Sequence, residues 1–354
     1  MTQIQQILNA KSPEQVFGEL ADATADALNR AYRRLSRLIH PDVNGNSKES
    51  TDAFAKLNEW KVKAAYKIKH GTYGDEAAPS GSATIKTKRN SYTVVETVAA
   101  GDLSDVLLAK DINSAPVALK VIRTPANNDL GRREVEMLRT VREQCDGLPA
   151  LAHVPQVLEN FLYKTTGSTV QKQVNVFPAL LESDGWYSAK RVLENYPEGI
   201  DLRDAAWMFN RLLGALLMAH QAGVVHAAVA PSHLMLHLPT HNAVLVDWSY
   251  AVKVGETAKA LSPELEAFVP TEVRGKLPLT PGTDLHMAAR LLLTLVGGEN
   301  KLPQHPPSVR GLFRACQLAP NKRLTDVAGL YEKFNDELKR LYGPRKFRNF
   351  EMRS

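Results

Sequence analysis

A proline cuts short the most strongly patterned stretch of this 354-residue chain. Across residues 27–39, Leu28, Ala31, Tyr32, Leu35 and Leu38 recur at helical spacing, while Arg30, Arg33, Arg34 and Arg37 fall mainly on the other side. One face is suited to packing and the other is strongly cationic. Pro41 disfavours the helical conformation at His40, so the helix is expected to stop there and hold His40 and Asp42 out on an exposed loop. A second helix follows, with Phe54, Leu57 and Trp60 as its apolar stripe. On these residues alone two readings stand: a cationic docking helix, or a basic helical hairpin whose arginines are merely solvated.

The layout of basic helix, His40-Pro41-Asp42 and return helix resembles the J-domain of DnaJ-type co-chaperones, over residues 1–74. The first helix of that family finds its counterpart between Ile4 and Leu20, broken by Pro13 and lacking the usual Asp-Tyr-Tyr start. The resemblance implies that the module engages a DnaK-type chaperone and stimulates its ATP hydrolysis. His40, Pro41 and Asp42 would carry the coupling, and Arg30, Arg33, Arg34 and Arg37 the electrostatic docking.

The length is too great for one ordinary core and implies two or three domains. Apolar content of 44% with 23% charged residues is that of a soluble globular protein. No apolar run approaches a membrane span, since even residues 211–225 are interrupted by His220 and Gln221. The N-terminus has neither the charge nor the apolar segment of a secretory signal, so a cytoplasmic location is expected. Cys145 and Cys316 cannot build a disulfide framework and have no metal-type spacing. The net charge of +6 gathers in the J-like region and at Lys339, Arg340, Arg345, Lys346 and Arg348. Such patches suit nucleic acid or acidic protein surfaces, but no nucleic-acid motif accompanies them.

After Gly74 the composition turns to small and breaking residues, and 75–91 reads as a flexible linker. From Tyr92 strand signals follow at 92–98, 105–109 and 116–122, an antiparallel meander. The third contains Val117-Ala118-Leu119-Lys120 and precedes a helical segment with Glu134 one turn before Leu138. Further along stand a strand at 174–182, long helices over 202–223, the loop 224–236, a strand ending at Asp247-Trp248-Ser249, Pro270-Thr271-Glu272, Gly282-Thr283-Asp284 and Pro320-Asn321-Lys322-Arg323.

In order and spacing these segments resemble the protein kinases. The expected fold class is α+β: an all-α J-like hairpin, then a bilobal kinase-like domain at 92–340, with an N-lobe at 92–182, a C-lobe at 183–340 and a basic tail at 341–354. The resemblance implies a Lys120–Glu134 ion pair that sets the lysine against nucleotide phosphates.

The departures bear on function. The catalytic-loop aspartate falls on Ala228, its preceding arginine on Ala227, the loop lysine on Ala230 and the metal-binding asparagine on His233. His226 is retained there. Ordinary phosphoryl transfer is therefore not expected, because base, charge stabilisation and a metal ligand are lost together. Ala99, Gly101 and Ser104 occupy the three glycine positions of the phosphate loop, so close backbone approach is easy only at Gly101. Val106 and Ala118 above the adenine, Met235 below it, Lys120, Glu134 and an Asp247-bound magnesium would make an ATP site. The same charged residues would equally form a structural network in a closed cleft. His226, His233, His237 and His241 lie on a loop and two strands, and no zinc is expected. His226 has a structural place under Trp248, which with Ser249 would stiffen its turn.

Three functions follow from these readings. The first is an adaptor that recruits a DnaK-type chaperone and recognises a client, or senses a nucleotide, through an impaired kinase fold. The second is an atypical phosphoryl- or nucleotidyl-transferring enzyme using Lys120, Glu134 and Asp247. The third is a basic scaffold.

Overall fold

The computed structural model describes residues 2–10, 12–20, 24–45, 47–69, 73, 83–164 and 170–353. The chain divides into two compact units, residues 1–82 and 83–354.

The first unit contains helices α1 (Gln3–Asn9), α2 (Pro13–Phe17), α3 (Ala25–Ile39) and α4 (Lys48–Lys69). The break between α1 and α2 falls where Pro13 begins a helix after the Ser12 N-cap. Thr24 caps α3 by accepting from the Ala27 amide. The core joins Leu28, Leu35 and Ile39 of α3 to Ala53, Leu57, Trp60 and Ala64 of α4, closed by Ile7, Val16 and Phe17. Leu38, expected in this stripe, is instead 55% exposed and Ile39 is fully buried. At 100° per residue Ile39 comes back over Leu28 after eleven steps, whereas Leu38 falls to the side. Beyond α4, the Tyr73 hydroxyl donates to the Gly18 carbonyl at 2.8 Å, and burial pushes the phenol up to about 12.

The second unit opens with strands β1 (Thr84–Lys86), β2 (Ser91–Ala100), β3 (Ser104–Lys110) and β4 (Pro116–Ile122), then helix α5 (Asn128–Gln144) and strands β5 (Glu159–Lys164) and β6 (Gln171–Pro178). They form an antiparallel sheet in the order β1-β2-β3-β4-β6-β5. Strand β1 lies inside the segment read as a linker. Its buried Ile85 pairs with Tyr92 across a turn held by Thr87 and Asn90. Three residues with one apolar side chain carry too little alternation to be seen in sequence. Residues 75–82 of that segment lie outside the described residues.

Next come β7 (Trp186–Ser188), α6 (Ala189–Asn195), α7 (Leu202–Gln221), β8 (Val224–Val225), β9 (Leu234–His237), β10 (Asn242–Leu245) and β11 (Val252–Lys253). Helices α8 (Thr271–Arg274), α9 (Pro281–Leu295), α10 (Pro307–Cys316) and α11 (Val327–Tyr342) complete the fold. Helices α7 and α9 are buried nearly all round and form the centre of the largest apolar core. The segment read as a basic tail packs onto this core. Phe347 stacks on His241 with ring centroids 4.2 Å apart, His241 stacks on Trp207 at 4.3 Å, and Phe350 is buried beside Tyr196. Arg348 pairs with Asp204 at 2.9 Å, and the Arg353 guanidinium lies 4.1 Å from the Tyr196 ring. Two of the tail's cations are thus engaged with the domain itself.

A second ion pair fixes the helical half. Glu272 and Arg323 are both buried and bonded, Thr283 donates to the Glu272 carboxylate at 3.1 Å, and Arg323 also donates to the Leu318 carbonyl at 3.0 Å.

Candidate functional sites

Two places gather the residues singled out in the sequence. On α3, Arg30, Arg33, Arg34 and Arg37 are all exposed, and among the described residues none of them forms an ion pair. Their spacing puts them in one stripe diametrically opposite the Leu28–Leu35–Ile39 seam. The helix ends as Pro41 demands, with His40 in extended backbone at φ −54° and ψ 133°. Asn44, unnoticed in the sequence, completes the stop: its side-chain amide donates to the carbonyls of Leu38 and His40, each at 3.0 Å. The His40 ring is not held out in solvent as expected. It is half-buried, edge-on to Phe54 of α4 at 5.3 Å, which fixes its direction. Of Asp42 only the backbone is described, in the short helical turn Pro41–Val43. Leu38 and Val43 are exposed on either side of the turn, so the cationic stripe ends in an apolar rim.

The other place lies between the sheet and the helical half of the second unit. Register sets Val106 opposite Lys120 and Leu108 opposite Ala118, so Val106, Ala118 and Lys120 share a face of the sheet. Val106, Ala118 and, on β9, Met235 are half-buried. Lys120 Nζ lies 2.8 Å from Glu134 Oε1 on α5, 2.5 Å from Asp247 Oδ1 and 2.7 Å from Ser249 Oγ. Glu134 is held in turn by the Trp248 amide at 3.1 Å and the Asn175 amide group at 2.9 Å. Burial alone would lower the Lys120 pKa, but the carboxylates of Asp247 and Glu134 override it and hold the amine above its ordinary value. Burial likewise opposes ionisation of Asp247, and Lys120 and His233 outweigh it, leaving the carboxyl below its ordinary value.

Beneath this network runs the loop after β8. The amides of His226 and Ala227 donate to Asp284 on α9, both at 2.8 Å, and His220 reaches the same carboxylate at 2.9 Å. His226 donates from Nε2 to the Val246 carbonyl at 3.2 Å, accepts at Nδ1 from the Ala228 amide at 3.3 Å, and meets the Trp248 ring edge-on at 4.9 Å. Ala228 and Ala230 are fully buried methyl groups. His233 Nδ1 donates to the Ala228 carbonyl at 2.7 Å, and its Nε2 lies 3.4 Å from Asp247. His237 is spent on Thr240 and the Asp184 carbonyl, and His241 lies between Trp207 and Phe347. Among the described residues no group of three or more His, Cys, Asp or Glu side chains is arranged to hold a metal.

Burial drives the His226 pKa down to about 4, so the ring stays neutral in the folded state well below the pH at which it charges in the unfolded chain. The unfolded state therefore binds more protons, and His226 withdraws stability as pH falls from about 6.5 to about 4. Acid titration of the unfolding midpoint should show this loss, and His226→Gln should flatten that part of the curve even if it lowers the neutral-pH midpoint.

The sequence of the first unit matches the DnaJ domain family model over residues 15–68. Chaperone protein DnaJ from Caldicellulosiruptor saccharolyticus is 40% identical over 45 residues, 13% of this chain and 12% of that protein. Chaperone protein DnaJ 2 of Synechocystis gives the same identity over 45 residues and 15% of its length. The second unit supplies the other match: the structure of vaccinia related kinase 3 superposes with TM-score 0.58 at 14% identity, covering 76% of this chain and 93% of that one. The BubR1 kinase domain superposes with TM-score 0.57 at 14% identity, covering 73% and 83%. This chain joins a DnaJ domain to a protein-kinase-like fold. The matched segment spans only about an eighth of the length of the first DnaJ relatives.

The DnaJ domain presents its basic stripe and its proline turn together. In the kinase-like unit Ala228 is a fully buried methyl group, and the nearby His233 is turned between the Ala228 carbonyl and Asp247. The residues kept from the ATP-site pattern do not fit magnesium-bound nucleotide as they stand. Every Lys120 donor has a protein oxygen, and the Gly101 amide donates to the Ser104 carbonyl at 2.9 Å. In the same turn, Asp102 accepts from Ser262 at 2.6 Å. The sequence places Lys120, Glu134 and Asp247 and marks Ser249 as stiffening its turn, but gives no local signal for the Ser249 bond to Lys120, for Asn175 or for the Asp102–Ser262 bond. Among the described residues no helix is long and apolar enough to cross a membrane.

Proposed function

We propose that this chain is a co-chaperone adaptor: its DnaJ domain engages a DnaK-type chaperone and stimulates ATP hydrolysis there, while the kinase-like unit recognises a client without transferring phosphate. The observation that carries this reading is the α3 stripe of four exposed guanidiniums, without ion-pair partners among the described residues, ending at the His40-Pro41-Asp42 turn inside a matched DnaJ domain. Four like charges on one face repel one another and are retained at a cost to the helix, which an acidic partner surface offsets. The apolar rim of Leu38 and Val43 supplies contact area where the stripe meets the turn.

For the kinase-like unit, the support is chemical. Phosphoryl transfer relies on positioned charge and a proton acceptor, and here the acceptor position holds Ala228 while Lys120 is engaged on all sides. What the fold retains is a rigid surface, its core intact and its buried Glu272–Arg323 pair in place.

Docking through exposed charge makes a direct prediction. Arg33→Glu combined with Arg34→Glu weakens association with an ATP-loaded DnaK-type chaperone by roughly an order of magnitude at low salt, and the gap narrows as ionic strength rises. Binding measured by biolayer interferometry across a salt series checks this. Equal affinity of wild type and variant at low salt would remove the arginine stripe from the interface.

A further inference from the structure

A ligand that bridges two halves of a fold needs donors and acceptors that are free when it arrives. In this cleft they are already in use. An ammonium has three N–H donors, and Lys120 meets three oxygens, from Asp247 at 2.5 Å, Ser249 at 2.7 Å and Glu134 at 2.8 Å. The second Asp247 oxygen faces His233 Nε2 at 3.4 Å. Lys120, Glu134 and Ser249 are each less than a tenth exposed, so their mutual attraction is little weakened by water.

The turn between β2 and β3 is closed in the same way. Its Gly101 amide, the one position where backbone could approach a phosphate without a side chain in the way, is bonded to the Ser104 carbonyl. Asp102 adds a carboxylate there and is tied to Ser262, in the segment between β11 and α8. A triphosphate entering would have to draw Lys120 away from Glu134, Asp247 and Ser249 and break the Gly101 bond to Ser104.

We infer that the Lys120–Glu134–Asp247–Ser249 network takes the place of a bound nucleotide, tying β4 and α5 to the turn after β10 without any ligand, and that Ser249 completes it. Ser249 lies two residues after Asp247 in the same turn, so one short segment supplies two of the three acceptors. Its hydroxyl is the third acceptor that satisfies the ammonium. The kinase-like unit is then assembled and rigid whatever the nucleotide concentration, which suits a recognition surface. The inference extends the non-catalytic reading of this unit and is independent of the chaperone coupling.

Thermal unfolding of the full chain, followed by tryptophan fluorescence with and without millimolar ATP and magnesium, tests it without any chaperone present. The network requires that Mg·ATP leave the wild-type midpoint unchanged, and that Lys120→Met lower the nucleotide-free midpoint by several degrees by stranding Glu134 and Asp247. Should that variant not fold, Ser249→Gly serves, since it strands no charge; a smaller but measurable drop is expected. A wild-type midpoint raised by Mg·ATP would overturn the inference. So would an unchanged nucleotide-free midpoint in either folded variant, because a lysine reserved for nucleotide contributes nothing to the free fold.

Discussion

Arg323→Ala should lower the stability of the kinase-like unit by about 3–5 kcal/mol, the cost of leaving a buried carboxylate without its cation. Glu272 is 2% exposed and sits on the four-residue helix α8, whose one buried apolar side chain is Val273. Arg323 holds it from the segment before α11, while Thr283 holds it from the first turn of α9. Removing the guanidinium leaves Glu272 with one hydroxyl for an ionised group that wants several donors. Replacing both partners by apolar residues of similar volume, as in Glu272→Leu with Arg323→Met, should cost much less, because the desolvated charges go together. Chemical denaturation of both variants checks this: a single replacement no worse than the double would mean that the pair is not what secures α8.

The second large effect is functional. His40→Gln is expected to abolish stimulation of a DnaK-type chaperone while leaving the DnaJ domain folded. The fold survives because the seam of Leu28, Leu35 and Ile39 against Ala53, Leu57 and Trp60 is untouched, and because Pro41 and Asn44 still end the helix. What is lost is the edge-to-face contact with Phe54, worth about 0.5–1.5 kcal/mol. That contact orients the turn against α4, so a glutamine leaves the charges for docking in place and removes the ring that fixes the turn. Circular dichroism of the variant should match the wild type, with the change confined to chaperone turnover.

How far the sequence reached depended on the range of each interaction. Repeating local patterns were legible: the arginine stripe of α3, the return helix, the meander carrying Lys120 and the helix carrying Glu134 all lie within their observed elements. One-residue decisions at the end of a stripe were not, and Ile39 rather than Leu38 closes the seam. Strand β1 was hidden because it is short and becomes a strand only by pairing with β2. The tail read as a free basic segment, since nothing in its composition reveals that Phe347 would meet His241 or that Arg348 would find Asp204, 144 positions away.

The cleft shows the same division. Lys120, Glu134 and Asp247 were recognisable from motif order, and the structure brings all three together. The consequence of Ser249 was not recognisable, because a serine beside an aspartate is ordinary until the fold sets its hydroxyl against a lysine 129 positions earlier. The departures at Ala228 and Ala230 from the kinase pattern were legible in the sequence. That Lys120 is fully engaged could be read only from coordinates.

The measurement that bears most directly on the adaptor reading is steady-state ATP hydrolysis by a DnaK-type chaperone, alone, with the wild-type chain and with His40→Gln, beside the chain without chaperone. The account predicts that wild type stimulates turnover, that His40→Gln does not, and that the chain alone hydrolyses nothing. Equal turnover with and without the folded wild type would contradict it and leave the α3 arginines as a docking surface without output.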